Sequence, residues 1–569
     1  MKRTRFTTTF LSAALLALAA LFAAFGPQAL PVFAEEFFLL DEEESEDAGL
    51  LADDGDTVLS GTAKPTLSSA KITTCSGYSK GKIRITAKVT TPVKSIDNYY
   101  YLFRVNSNTG KLETRVAKTE KAKKGSQKLT FTLNTADHPE YAINMYGLAV
   151  KTKKGSKVSC YTRISGARFV NQPEKAAYNK ASYKLPKTKK GLQTTDINQL
   201  TQTKSQTAFC NLQMSTVMTK GAESVPYVYN GKTYYFSNIG GYQLYVSQCN
   251  QKGIQVTMQL MLDWSSATKD VIAASSQQSG VSFYAWNTTN AAAKQKMEAV
   301  FSFLAEMFGQ SDCYVSNWIL GNEVNSCNLW NYPGNMNKTE YVNSYTEAYR
   351  CLYNAVRSQR ANSKVFICVD HLWNMTTQGY SSRDMIDSFA ARLKKLQKDV
   401  NWNLAYHAYP FPLTDCRFWN SASDAVYGQF FTNDVNSQVV SLNNLSVMTN
   451  YIKSKYGTKT RIILSEQGFT SSQSQDAQAA AIALGYYVAA CNPMVDAFII
   501  RSYQDEAHEV AQGLAMGING KKAMKVFTYM DSTKSLKYTE SYLKSQVGSG
   551  WKSRVPGFST SRLSKIYRK

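Results

Sequence analysis

The chain has 569 residues, which at about 150 residues per domain allows three or four domains, or one large barrel with a smaller module. Apolar residues make up 43% and charged residues 19%, which excludes a wholly disordered or collagen-like chain. The net charge of +23 comes from dispersed Lys and Arg with no nucleic-acid module, so no nucleic-acid partner is expected, although the basic surface leaves association with a cell wall or an anionic glycan open.

Lys2, Arg3 and Arg5 precede an apolar run over residues 10–25, followed by Pro27, Pro31 and the small-residue end Val32-Phe33-Ala34. Positive, apolar and small residues in that order predict a secretory signal peptide over residues 1–34, hence an exported chain. No later stretch reaches the roughly 20 apolar residues of a membrane span, so the mature chain is expected to have no transmembrane helix. Residues 35–62 hold eleven acidic and no basic residues as far as Asp56, and read as a disordered spacer.

Residues 63–170 change texture. The stretches 82–89 and 128–133 alternate polar and apolar residues, which marks half-buried strands, and 99–105 and 146–152 are further strand candidates between Gly-containing turns. Short strands at this spacing predict a small all-β sandwich. It contains no Trp, so it reads as a structural spacer more than a sugar-stacking module, with the Tyr99-Tyr100-Tyr101 run as the exception. Of the ten Cys, Cys75 and Cys160 near its two ends are the pair that suggests a bridge, and no CxxC points to zinc. A linker is expected over residues 171–191.

From residue 192 to 569 strands and helices alternate. Apolar strand candidates fall near 208–214, 254–262, 315–320, 365–369, 402–405, 461–464 and 497–500, with an eighth expected near 190 or within 264–310. Between them, Tyr341, Tyr345, Ala348, Leu352 and Ala355 recur at helical steps on one face. The fold class is therefore α/β, a (β/α)8 TIM barrel behind a small all-β sandwich; without a GxGxxG or GxxxxGK[ST] loop, an open nucleotide-binding sheet has no support.

In such a barrel the chemistry sits where strands end. Polar and titratable residues follow the apolar runs at Asn322-Glu323-Val324-Asn325, Asp370-His371-Leu372-Trp373, His407-Ala408-Tyr409, Glu466-Gln467 and Tyr503-Gln504. Glu323 and Glu466, 143 positions apart, are the candidate catalytic pair: about 5 Å apart, one carboxylate stays ionised to attack an anomeric carbon while the other keeps its proton for the leaving oxygen. Asn322, Asn325, His371, Trp373, His407, Tyr409, Tyr503, Gln504, Asp263 and Trp264 are candidate substrate-binding residues. Trp264, Trp330, Trp373 and Trp419 lie in segments after strands, where a ring can stack on a sugar, whereas Trp318 and Trp402 lie within strands and read as core. The reading needs no metal or cofactor. Two other readings stay open: a carbohydrate-binding barrel without turnover, and a metal hydrolase built on Asp370, His371, His407 and His508.

The ordered set Gly321-Asn322-Glu323 and Leu464-Ser465-Glu466-Gln467-Gly468 resembles the large clan of retaining (β/α)8-barrel glycoside hydrolases, in which an Asn-Glu pair ends the fourth strand and a second Glu the seventh. The resemblance implies an acid/base role for Glu323, a nucleophile in Glu466, a sugar 2-hydroxyl partner in Asn322, and orientation of the nucleophile by His407 and Tyr409. More closely, the chain resembles an uncharacterised group of secreted bacterial proteins, taken to be glycoside hydrolases, with a β-sandwich before the barrel. Two positions depart from the clan: the last strand runs into Ser502-Tyr503-Gln504 where many members have Trp, and no early-strand Arg is visible, Asn211 being the nearest polar residue.

Overall fold

The computed structural model describes residues 63–121, 125–154, 158–277 and 280–567; the leader and acidic spacer expected from the sequence lie outside them. The first eight strands build the sandwich. One antiparallel sheet has the order β1-β2-β5 (Ala70–Ser79, Lys82–Val89, Gln127–Asn134). The other has the order β4-β3-β6-β7 (Leu112–Lys121, Tyr99–Val105, Met145–Lys154, Val158–Arg163), with β8 (Arg168–Phe169) beside β6. The alternation in β2 turns Ile83, Ile85, Ala87 and Val89 inward, onto Leu102, Leu148 and Phe131 of neighbouring strands. Cys75 and Cys160 are both free, so the suggested bridge is not present: the Cys75 thiol is buried beside the Arg168 carbonyl, and Cys160 lies at Thr152 across β6–β7.

The barrel is closed and parallel. Its strands in chain order are β9 (Lys190–Gln193), β10 (Thr207–Gln213), β13 (Gln255–Met261), β14 (Asn317–Leu320), β15 (Lys364–Val369), β16 (Asn403–Tyr406), β17 (Ile462–Gln467) and β18 (Val495–Ile500), and β18 pairs with β9 to close the ring. The hairpin β11–β12 (Val225–Tyr229, Lys232–Phe236) is inserted after β10. Phe209, Ile319, Phe366, Cys368, Ala405, Ile463, Ala497 and Ile499, all strand residues, form a core of their own inside the ring. The larger core lies between strands and the surrounding helices, where Tyr341, Tyr345, Ala348 and Leu352 of the helix Lys338–Gln359 are buried as their spacing predicts.

The eighth strand, β9, starts inside the segment read as linker. Its charged opening hides it: Lys190 is buried and paired with Asp531 at 2.7 Å, and Lys189 is buried with its ammonium on the carbonyls of Ala489, Ala490 and Asn492 at the end of the helix Gln475–Cys491. Burial pulls the Lys189 pKa down to about 7. Gly191 is required by close packing, since a Cβ there would lie 2.7 Å from Ile499 Cγ1.

The sandwich is docked on the barrel rather than held off as a spacer. Arg350, fully buried on the helix Lys338–Gln359, donates to Ile143 O at 2.8 Å and to Glu347 at 2.9 Å, and lies over the Phe169 ring of β8. Lys294 pairs with Glu347 at 2.6 Å, and Arg104 of β3 reaches Glu298 at 3.5 Å. The neighbouring Asn354 donates to the carbonyls of Ala142 and Val170. None of the described helices is long and apolar enough to cross a membrane.

Candidate active site

The end of β14 makes a tight turn. Gly321 has φ +73° and Glu323 has φ +36°, a conformation that costs a non-glycine residue about 1–3 kcal/mol and holds only where its surroundings fix it. Here Val324 N donates to Cys368 O and Ser326 N donates back to Glu323 O. The turn brings the Glu323 carboxylate to His407, whose Nδ1 lies 2.8 Å from Oε1. Asn322 is buried beside it, its Oδ1 accepting from Gln259 Nε2 at 3.0 Å.

Glu466, on β17, accepts from the Tyr409 hydroxyl at 2.6 Å. Arg501, directly after β18, has Nε 4.0 Å from Glu466 Oε1 and an Nη1 ion pair with Glu509, a buried residue of the short helix Ala507–Val510. Gly468 makes room for this arrangement, because a Cβ there would collide with Met516 Sδ and lie 2.9 Å from the Tyr409 ring.

The two carboxylates are pushed in opposite directions. Burial drives the Glu323 pKa up to about 7, with the hydrogen bond and charge of His407 opposing and Asp370 and Glu466 adding to the rise. Burial acts on Glu466 too, but His407, Arg501 and the Tyr409 hydroxyl outweigh it and hold its pKa below the usual carboxylate range. Burial alone lowers the His407 pKa; the neighbouring Cys368, Glu466 and Glu323 more than reverse this, so the imidazole stays protonated well above its usual range. One carboxyl that keeps its proton to neutrality beside one that stays ionised is the division of labour an acid and a nucleophile need.

The remaining candidates divide. His371 is buried with its ring 5.8 Å from Phe411 and 6.5 Å from Tyr409, and its Nδ1 has no hydrogen-bond partner among the described residues. Trp264 is 40% exposed and leans on Tyr284, and Trp330 is half-buried against Phe283. Gln504 is exposed.

Five candidates serve the scaffold instead. Trp373 is fully buried, its edge on Tyr451 and Nε1 on Val435 O, and has no face for a sugar; Trp419 is buried against Phe418 in the same way. Asn325 is fully buried and doubly bonded to Asp370. Asp263 spends both oxygens on Ser215 at the start of the helix Met214–Met218, and the Tyr503 hydroxyl is tied to Gln202. Trp318, on β14, and Trp402, which lies just before β16 rather than within it, are both buried core residues.

His407 also differs from the role the resemblance implies: its direct hydrogen bond goes to Glu323, and Tyr409 is the residue bonded to Glu466. Asp370, His371, His407 and His508 do not converge, and among the described residues no group of three or more His, Cys, Asp or Glu side chains is arranged to hold a metal ion. Sequence reading missed Arg501, Glu509, Gln259 and Cys368. Arg501 carried a signal, since it directly follows the apolar run 497–500, and it supplies from the last strand the positive charge sought without success in an early one.

Among solved structures, a xyloglucanase of family GH5 from Bacteroides ovatus is similar at 11% identity, covering 82% of this chain and 97% of that one, with a TM-score of 0.37. A β-glucuronidase from Bacteroides uniformis is similar at 7% identity with a TM-score of 0.35, over 81% of this chain and 51% of its own, so the alignment spans about half the length of that enzyme. A family 5 xyloglucanase from Paenibacillus pabuli is similar at 12% identity, over 55% and 82% of the two chains, with a TM-score of 0.32. No curated protein matches the sequence. Residues 182–554, which take in the whole barrel, match one family model, and the chain belongs to that family, DUF5722, a family of unknown function.

Proposed function

We propose that this protein is a secreted, retaining glycoside hydrolase that cleaves O-glycosidic bonds of a poly- or oligosaccharide by double displacement. The observation that carries the reading is the pair Glu323 and Glu466, at the ends of two barrel strands, with one pKa raised to about 7 and the other lowered. In the first step Glu466 attacks the anomeric carbon while Glu323 gives its proton to the departing oxygen, leaving a glycosyl ester on Glu466. In the second, ionised Glu323 takes a proton from water, the water oxygen bonds the anomeric carbon, and the ester bond to Glu466 breaks with its electron pair. Tyr409 and Arg501 keep Glu466 anionic for the attack.

A panel of glycosides and glycans, followed by proton NMR of the first-formed anomer, tests this reading. Net retention is expected; net inversion excludes the two-step route, and saccharide binding without hydrolysis at any pH supports a binding barrel instead. The Arg501 contribution is separable. Substituting Arg501→Met together with Glu509→Gln, so that no buried carboxylate is left unpaired, takes one positive neighbour from Glu466. The acid limb of kcat/KM is then expected to move to higher pH while the basic limb stays near 7.

A further inference from the structure

Below Glu323, side chains from neighbouring strands meet inside the ring. Cys368, on β15, is fully buried, with Sγ 3.2 Å from His407 Nε2 and 3.9 Å from Asn322 Oδ1. The other nitrogen of His407 is on Glu323, and Asn322 Oδ1 already accepts from Gln259. A protonated imidazole has two N–H groups and needs two acceptors; Glu323 is one, and the sulfur is the partner of the other. A thiol can accept one hydrogen bond while giving its own S–H to another oxygen, and an amide oxygen held from within the barrel leaves its NH2 group for the cleft.

We propose that Cys368 is a positioning residue of this site: its sulfur accepts the Nε2–H of His407 and its S–H goes to Asn322 Oδ1, which keeps Nδ1–H of His407 on Glu323 and turns the Asn322 amide N–H groups toward the cleft. No bond to hydrogen is made or broken in this arrangement. The proposal rests on the reading of Glu323 and Glu466 as acid and nucleophile. The titratable groups facing His407 are Glu323 after β14, Cys368, Asp370 and His371 on or after β15, Tyr409 after β16 and Glu466 on β17, with Arg501 after β18 acting through Glu466. Without the sulfur, the Nε2–H has no acceptor and the protonated ring is disfavoured. Glu323 and Glu466 then both lose a positive neighbour.

The test compares Cys368→Ala with Cys368→Ser, whose hydroxyl can both donate and accept. In the Ala variant both limbs of the kcat/KM profile are expected to rise by about one pH unit, a tenfold change in proton affinity, and kcat to fall about tenfold; the Ser variant keeps the wild-type limbs. Limbs that stay in place in Cys368→Ala, or move equally in Ser and Ala, overturn the proposal. Nitrogen-15 NMR of histidine-labelled protein reads the same point without turnover, because the chain has only four His and the His407 signals are identified by their loss in His407→Asn. Both ring nitrogens of His407 are expected to be protonated at neutral pH in wild type, and the ring neutral in Cys368→Ala. A neutral ring in wild type, or an unchanged ring in the variant, overturns the positioning role. A wild-type protein that hydrolyses no glycoside overturns the catalytic reading alone, and the NMR result still decides the role of Cys368.

Discussion

Glu466→Gln is expected to lower kcat/KM by on the order of 10⁴-fold or more, the scale seen when a nucleophile is removed from a working site. It should also abolish covalent labelling by a 2-deoxy-2-fluoroglycosyl donor. The amide cannot bond the anomeric carbon as an anion does, and the Tyr409 hydroxyl and Arg501 then face a neutral group. Intact-protein mass spectrometry checks the label and peptide mapping its position. Label retained in Glu466→Gln, or found on another side chain in wild type, removes Glu466 from the nucleophile role. Because its pKa is lowered in the folded protein, Glu466 is ionised through the working range, and its own titration should limit activity on the acid side alone, as it takes up a proton.

Glu323→Ala should show a different signature. Loss of the acid is expected to slow glycosides with poor leaving groups by about 10²–10⁴-fold, while aryl glycosides whose leaving group needs no proton keep most of their first step and accumulate the glycosyl enzyme. Burial holds the wild-type carboxyl protonated up to about pH 7, so kcat/KM of wild type should decline as pH rises through that value. In Glu323→Ala that decline should disappear, because the group that titrates there is gone. Steady-state rates across a series of leaving groups at several pH values check both effects. Equal losses for activated and unactivated substrates, or an unchanged basic limb, would show that Glu323 is not the proton donor.

The parts of this architecture that could be read in the sequence are those where local pattern and burial agree. β2 alternates because only one of its faces is covered, whereas the runs ending at Leu320, Val369 and Ile500 are apolar because both faces of those strands are covered. β9 was legible only as one of two places for an eighth strand: Lys-Gly-Leu-Gln looks like exposed chain, and only a partner 341 residues away, Asp531, makes Lys190 acceptable inside the protein. Trp373 shows the converse. It follows a strand as a sugar-stacking ring would, yet the segment around Val435 folds over it, and nothing near Trp373 in sequence announces that cover. The positions of Glu323 and Glu466 at strand ends were legible, whereas the opposite drift of their proton affinities depends on His407 and Arg501, which arrive from other strands.

The charge network that joins the sandwich to the barrel has a consequence for how this protein can be taken apart. Arg350 sits on a barrel helix, but its carbonyl partner, Ile143, and the ring beneath it, Phe169, belong to the sandwich side. A barrel cut free at the linker would carry a guanidinium whose roof has been lifted, beside Glu347 and Lys294 newly open to water. The two halves are therefore better regarded as one folding unit sharing a seam, in which the small amino-terminal half covers the barrel helices Ala291–Met307 and Lys338–Gln359 rather than hanging on as a detachable accessory.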